Sequence, residues 1–197
     1  MEKDNIQKTL LDIGRKLVQE RGMEHLTARK LSEASGCSVG AIYNQFSNMD
    51  NFIVVLNCMT LDDLLQHLET VPLTDDAHVD MNNLAHCFSD FVLHNKNLWF
   101  MLYNFYLRSD KREYSYAYLR KIVRIISIVS RVLQRTLPTM EYPERILSSQ
   151  ILWLTLFALS PFLANDTLNT TSKVNSEMLC QVVLNTFVAG LTVLESK

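Results

Sequence analysis

His78, His86, Cys87 and His94 fall within 17 residues of one another, and imidazoles with a thiol are the side chains that ligate transition metals. Their spacing works against a shared ion. On one helix His86 and His94 are rotated about 80° apart around the axis, and neither HxxxH nor CxxC occurs, so no metal or other cofactor is expected. Covalent and acid–base chemistry find no pattern either. There is no GxSxG and no Gly-rich phosphate loop, and the pairs Asp62-Asp63 and Asp75-Asp76 read as solvated acids, so the chain is not expected to be an enzyme. Recognition chemistry remains. In TARKLSEASGCSVGAIYNQF, residues 27–46, Asn44 and Gln45 carry carboxamides that can each pair with adenine through two hydrogen bonds, discriminating by roughly 1–3 kcal/mol per good pair.

The elements that must present those carboxamides are short helices. Thr27 is a cap candidate for a helix whose inward residues are Ala28, Leu31 and Ala34, with Leu26 just ahead of it as a staple. Gly36 ends that helix and permits the positive φ of a tight turn. Ser38 then caps a second short helix marked by Val39, Ile42, Tyr43 and Phe46. Two short helices joined by a three- or four-residue turn containing Gly form the helix-turn-helix pattern, whose second helix enters the DNA major groove. Leu31, Val39 and Ile42 are placed to pack the pair at a steep angle against a preceding helix, which Ile6, Leu10, Ile13, Leu17 and Val18 mark over about 4–21, ending at Gly22. Gly40 lies inside the second helix at a cost on the order of 1 kcal/mol relative to Ala. It either allows another surface to approach the backbone or relieves crowding between helices.

Further along, Asp50 opens a helix with Phe52, Ile53, Leu56, Met59 and Leu64 on a broad face. VPLTDDAHVD reads as a loop leading to a helix over about 81–95, with others near 98–109, 112–136, 143–164 and 175–195. Pro143 suits a first helical turn, and Asn175 caps the final helix with Val174 and Leu179 as its staple. The fold class is all-α, with an N-terminal three-helix domain over 1–48 and a second helical domain over 49–197. The last two helices are apolar on more than one face, which predicts a partner surface.

With 48% hydrophobic and 20% charged residues the chain is globular rather than disordered. Its four cysteines have no paired spacing and read as reduced thiols in a cytoplasm. The N-terminus lacks the apolar core of a secretory signal, and the run ILWLTLFALSPFLA is shorter than the roughly 20 residues that a bilayer span needs, so a soluble protein with no membrane partner is expected. A formal charge of −2 argues against general coating of nucleic acid. No Lys or Arg occurs between residues 31 and 95, whereas eight lie within 108–135 and read as a solvated helix face.

Residues 6–52 resemble the DNA-binding domain of the TetR family of bacterial transcriptional regulators. The matching residues are Gly22, Thr27, Leu31, Ser35, Gly36, Cys37, Ser38, Gly40, Ile42, Tyr43, Phe46 and Phe52. The resemblance implies a ligand-controlled, homodimeric repressor that binds an inverted-repeat operator in double-stranded DNA and pairs through its last two helices. It implies phosphate contacts at Thr27, Arg29 and Lys30, a groove-facing helix start at Ser38, Val39 and Gly40, and backbone or base-edge contacts from Tyr43, Asn44 and Gln45. The two reading helices of a dimer must then sit about 34 Å apart, or a multiple of it. A ligand acts by favouring one arrangement of them. The family's usual Lys-Glu pair is Met49-Asp50 here, so one phosphate grip is missing. Affinity must lean on Lys3, Lys8, Arg15, Lys16, Arg29 and Lys30, which predicts a shallow salt dependence. An A·T-containing half-site follows from the carboxamides. The low positive charge around 38–52 also suits a helix-turn-helix that contacts a protein instead.

In the second module aromatics are dense. Phe88, Trp99, Phe100, Tyr103, Asn104, Tyr106, Trp153 and Phe157 are candidates to line an apolar or aromatic effector's pocket, with Tyr103, Asn104 and Tyr106 as polar handles.

Overall fold

In the computed structural model, residues 2–108, 115–164 and 176–195 are described, and among them every regular element is helical. In chain order these are α1 Glu2–Arg21, a 3₁₀ turn Met23–His25, α2 Ala28–Ser35, α3 Val39–Phe46, α4 Met49–Glu69, α5 Ala77–His94, α6 Lys96–Leu107, α7 Tyr116–Thr136, α8 Tyr142–Ala164 and α9 Ser176–Glu195. The all-α expectation holds. α5 starts about a turn earlier than the sequence pattern indicates, because the Asp76 carboxylate accepts hydrogen bonds from the backbone N–H groups of His78 (2.8 Å) and Val79 (3.3 Å) and so caps the helix inside the expected loop. The cap and staple expected at Asn175 and Val174 lie outside the described residues, as does the expected helix start at 112–114.

Two compact units result: 1–62 with 95–119, and 63–94 with 120–197. Neither boundary falls at residue 48. The first unit keeps α6 because α6 packs on α1, and Leu98 and Met101 enter the same core as Leu10, Val18, Leu31, Ile42, Phe46, Phe52 and Leu56. That core is built around a glycine contact: a Cβ on Gly14 of α1 would lie 2.5 Å from Cζ of Phe52, so only glycine admits the ring there. Phe52 in turn meets Phe46 edge-on, with ring centroids 4.7 Å apart. Ala34, expected to face inward, is exposed; Leu31 alone is fully buried on α2.

The second unit is a bundle in which α5, α8 and α9 pack on one another. α8 is 23 residues long and apolar enough to cross a membrane by length and composition. It runs on through Pro161, and one side of it, with Leu152, Trp153, Leu156, Phe157 and Leu163, is buried in the bundle. Its other side stays apolar and exposed.

Candidate functional site

α2, the three residues Gly36-Cys37-Ser38 and α3 form the helix-turn-helix, and each of its bends has a local cause. The Thr27 hydroxyl accepts from the Lys30 backbone N–H (3.2 Å) and starts α2. Gly36 closes α2 at φ 71°, the left-handed region that glycine enters without a steric cost. The Ser32 hydroxyl donates to the Cys37 carbonyl (2.6 Å), and the Cys37 N–H donates to the Ser35 hydroxyl (3.2 Å), which holds the turn. Ser38 then accepts from the Ala41 N–H (3.1 Å) and starts α3. Leu31 and Ile42, both fully inaccessible, join the helices from beneath.

Phe46 is buried as well, and most of the other α3 positions face outward. Ser38, Val39, Gly40, Tyr43 and Asn44 are exposed and Gln45 is half-buried. Val39, at 37% exposure, does not serve the packing role assigned to it alongside Leu31 and Ile42; it belongs to the outward face. Gly40 relieves no crowding. The nearest foreign atom to a Cβ built on it is the Ser38 hydroxyl oxygen, 3.9 Å away, so nothing within the chain requires glycine at this position.

Around α2, Arg29 is 89% exposed at its side chain and holds Glu33 through Nε (3.0 Å). Such a surface pair contributes about 0.2–1 kcal/mol and exchanges readily for a stronger anion. Lys30 is exposed beside it. Met49, standing where the family's lysine falls, packs half-buried against the core of the first unit, so the missing cation has become a hydrophobic contact. The next helix is capped one residue earlier by Asn48, whose Oδ1 accepts from the Asn51 N–H (2.7 Å).

The expected effector residues are split. Phe88 and Trp153 line one cavity in the second unit with ring centroids 6.0 Å apart, and Phe157 meets Trp153 at a tilt, centroids 5.7 Å apart. Trp99, Phe100, Tyr103, Asn104 and Tyr106 all lie on α6, in the other unit, and line none of this cavity. Trp99 is fully buried there, and the Asn104 amide donates to the Phe100 carbonyl (2.8 Å). The cavity is walled solely by apolar residues, among them Leu68, Met81, Leu84, Ile125, Ile128, Leu152 and Leu184, and measures about 30 Å³, room for about one water. Ligand sites of about 300–1,000 Å³ are the norm, so the cavity as it stands is well below that size.

One charged cluster escaped the sequence reading. Asp80 is fully buried on α5. Its carboxylate accepts from the Thr74 N–H (2.7 Å) and hydroxyl (2.8 Å), and Arg135 of α7 donates to it and to the Thr74 carbonyl. Burial alone raises a carboxyl pKa, but the Thr74 hydrogen bonds and the Arg135 guanidinium together hold Asp80 below the usual 3.8. Arg124 pairs with Glu69 at 3.0 Å. The basic run of α7 is therefore partly tied to acids rather than wholly solvated. Spacing held no sign of this, since Asp80 and Arg135 are 55 residues apart. The Cys180 thiol is pushed up to about 11 by burial, and Cys87 upward by burial and the nearby Asp90. Among the described residues no three His, Cys, Asp or Glu side chains gather as metal ligands.

These features define an all-α protein with an N-terminal helix-turn-helix. Residues 10–55 match the family of bacterial regulatory proteins called the tetR family, which bears out the resemblance drawn from the N-terminal residues. That family consists of regulators, not enzymes. No curated protein gives a significant match. The whole fold is shared with solved structures at low sequence identity. A protein of unknown function from Rhodococcus sp. RHA1 aligns with TM-score 0.73 and 15% identity over 94% of both chains. The transcriptional regulator FadR from Bacillus subtilis, solved in complex with stearoyl-CoA, aligns with TM-score 0.69 and 16% identity over 93% of this chain and 98% of its own. The TetR-family regulator PfmR from Thermus thermophilus aligns with TM-score 0.62 and 15% identity over 91% of this chain and 97% of its own.

Proposed function

We propose that this chain is a sequence-specific DNA-binding transcriptional repressor, homodimeric and released from an inverted-repeat operator by a small apolar ligand. The observation that carries the reading is the outer face of α3. It offers a hydroxyl, two carboxamides and a bare backbone at Gly40, where nothing in the chain itself needs a glycine. Backbone exposed in this way lets α3 approach base edges closely. Thr27, Arg29 and Lys30 sit at the start of α2, where unpaired N–H groups and two cations favour phosphate. The Thr27 hydroxyl accepts within its cap and keeps its proton for an anion.

Self-association through α8 and α9 is supported by their outward stripes. Leu147, Ile151, Leu154 and Phe162 on α8, with Met178, Val182 and Val193 on α9, recur at helical spacing and are exposed. The apolar cavity and the stearoyl-CoA complex of the similarly folded FadR support an effector with a hydrocarbon part.

A gel shift against a random duplex library tests the reading. Selected fragments should carry an A·T-containing inverted repeat. Gly40→Ala should stabilise α3 by up to about 1 kcal/mol while weakening operator binding, because the added methyl stands between the helix and the groove. Absence of DNA selectivity at low salt sinks the reading and assigns the motif to a protein partner.

A further inference from the structure

Beside the small apolar cavity, in the same unit, lies a larger cleft of about 230 Å³. The two spaces share Leu68, Leu84 and Ile128 as a common wall, one residue from each of α4, α5 and α7. The cleft's far side is Val71 and Leu73 of the α4–α5 loop, with Val132, and its charged lining consists of Glu69 and Arg131. Glu69 is already neutralised by Arg124. Arg131 is exposed and has no ion-pair or hydrogen-bond partner among the described residues. The cleft therefore joins a hydrocarbon lining to a guanidinium that no described residue neutralises. Its loop wall is held in place, since Thr74 is tied through Asp80 to Arg135.

We infer that this cleft is the binding site of an anionic single-chain amphiphile, with its head group on Arg131 and its tail passing between Leu68, Leu84 and Ile128 into the cavity beside Trp153. The site deepens the ligand-responsive reading above and rests on it for its biological role. Charge selects the class. A guanidinium donates paired hydrogen bonds to a carboxylate or similar anion and repels an ammonium. The apolar lining gains from each methylene that leaves water. The tail supplies what the small cavity lacks, a reason for its walls to part.

Decanoate, decan-1-ol and decylammonium, each below its aggregation limit, serve as probes of the full chain, with tryptophan emission as the readout. Decanoate should shift the emission saturably, and Trp153→Phe should abolish that shift. Arg131→Gln, at an exposed position, should raise the decanoate Kd about tenfold and leave decan-1-ol unchanged, while decylammonium binds weakest. Lack of a saturable decanoate signal overturns the site, and so does an Arg131→Gln protein that binds decanoate like the parent. Operator binding measured without any amphiphile separates the two readings. DNA selectivity with no decanoate site removes only this inference, and a decanoate site without DNA selectivity keeps it and removes the repressor.

Discussion

Around Gly36 the chain turns within three residues between two eight-residue helices, each opened by a hydroxyl cap, whereas α5, α8 and α9 run 18, 23 and 20 residues. In the first unit, position is dictated by a few specific contacts, most of them between near neighbours in the chain. Caps, a left-handed glycine and a glycine–aromatic contact leave the reading helix little freedom. In the second, long helices apolar on several faces are positioned by what they pack against, and the residue-level signals are weak. The contrast suits the two tasks proposed for the units. A face that reads DNA must be presented in one geometry, while a bundle that admits a ligand must be able to separate its walls.

The contrast can be broken most severely at Gly14. Replacing it with Ala drives a methyl against the buried Phe52 ring, which Phe46 holds from the other side. Destabilisation of about 1–3 kcal/mol is expected, seen as a lower urea midpoint. An unchanged midpoint would mean that the first unit yields as easily as the second. A smaller effect, about 1 kcal/mol, is expected for Ser38→Ala. Hydrogen exchange should quicken at the Ala41 amide and along α3 while α5 and α9 keep their protection. Uniform loosening would contradict local control.

The third effect is read in acid, because the Asp80 contribution is fully in place at neutral pH. Asp80 has its folded pKa lowered below 3.8, so its contribution is complete above that value and is lost as pH falls through the folded pKa. Acid titration of stability should therefore show a component, absent from Asp80→Asn, in which the α4–α5 loop detaches from α7. An identical acid profile in both proteins would remove the Thr74–Asp80–Arg135 tie from the account.

What was legible in the chain follows the same division. Thr27, Gly36 and Ser38 act through neighbours one to four residues away, so their roles could be read from spacing, and all three behave as expected. Gly14 could not be read this way, because its partner Phe52 lies 38 residues on and glycine inside a helix carries no pattern of its own. The aromatics of α6 looked equivalent to Phe88 and Trp153 in composition. Leu98 and Met101 draw their helix into the other unit's core, a tertiary preference that a run of LWFMLYNFY does not announce. The pairing of Asp80 with Arg135 was hidden for the same reason.

The apolar cavity of about 30 Å³ has one more effect. Volume that packing leaves unfilled there is given back on unfolding, so hydrostatic compression works against the bundle of α5, α7, α8 and α9. Water forced inward would meet only hydrocarbon. Squeezing the protein therefore acts first on the half that has space to surrender, and any guest that occupies this space makes the molecule harder to crush.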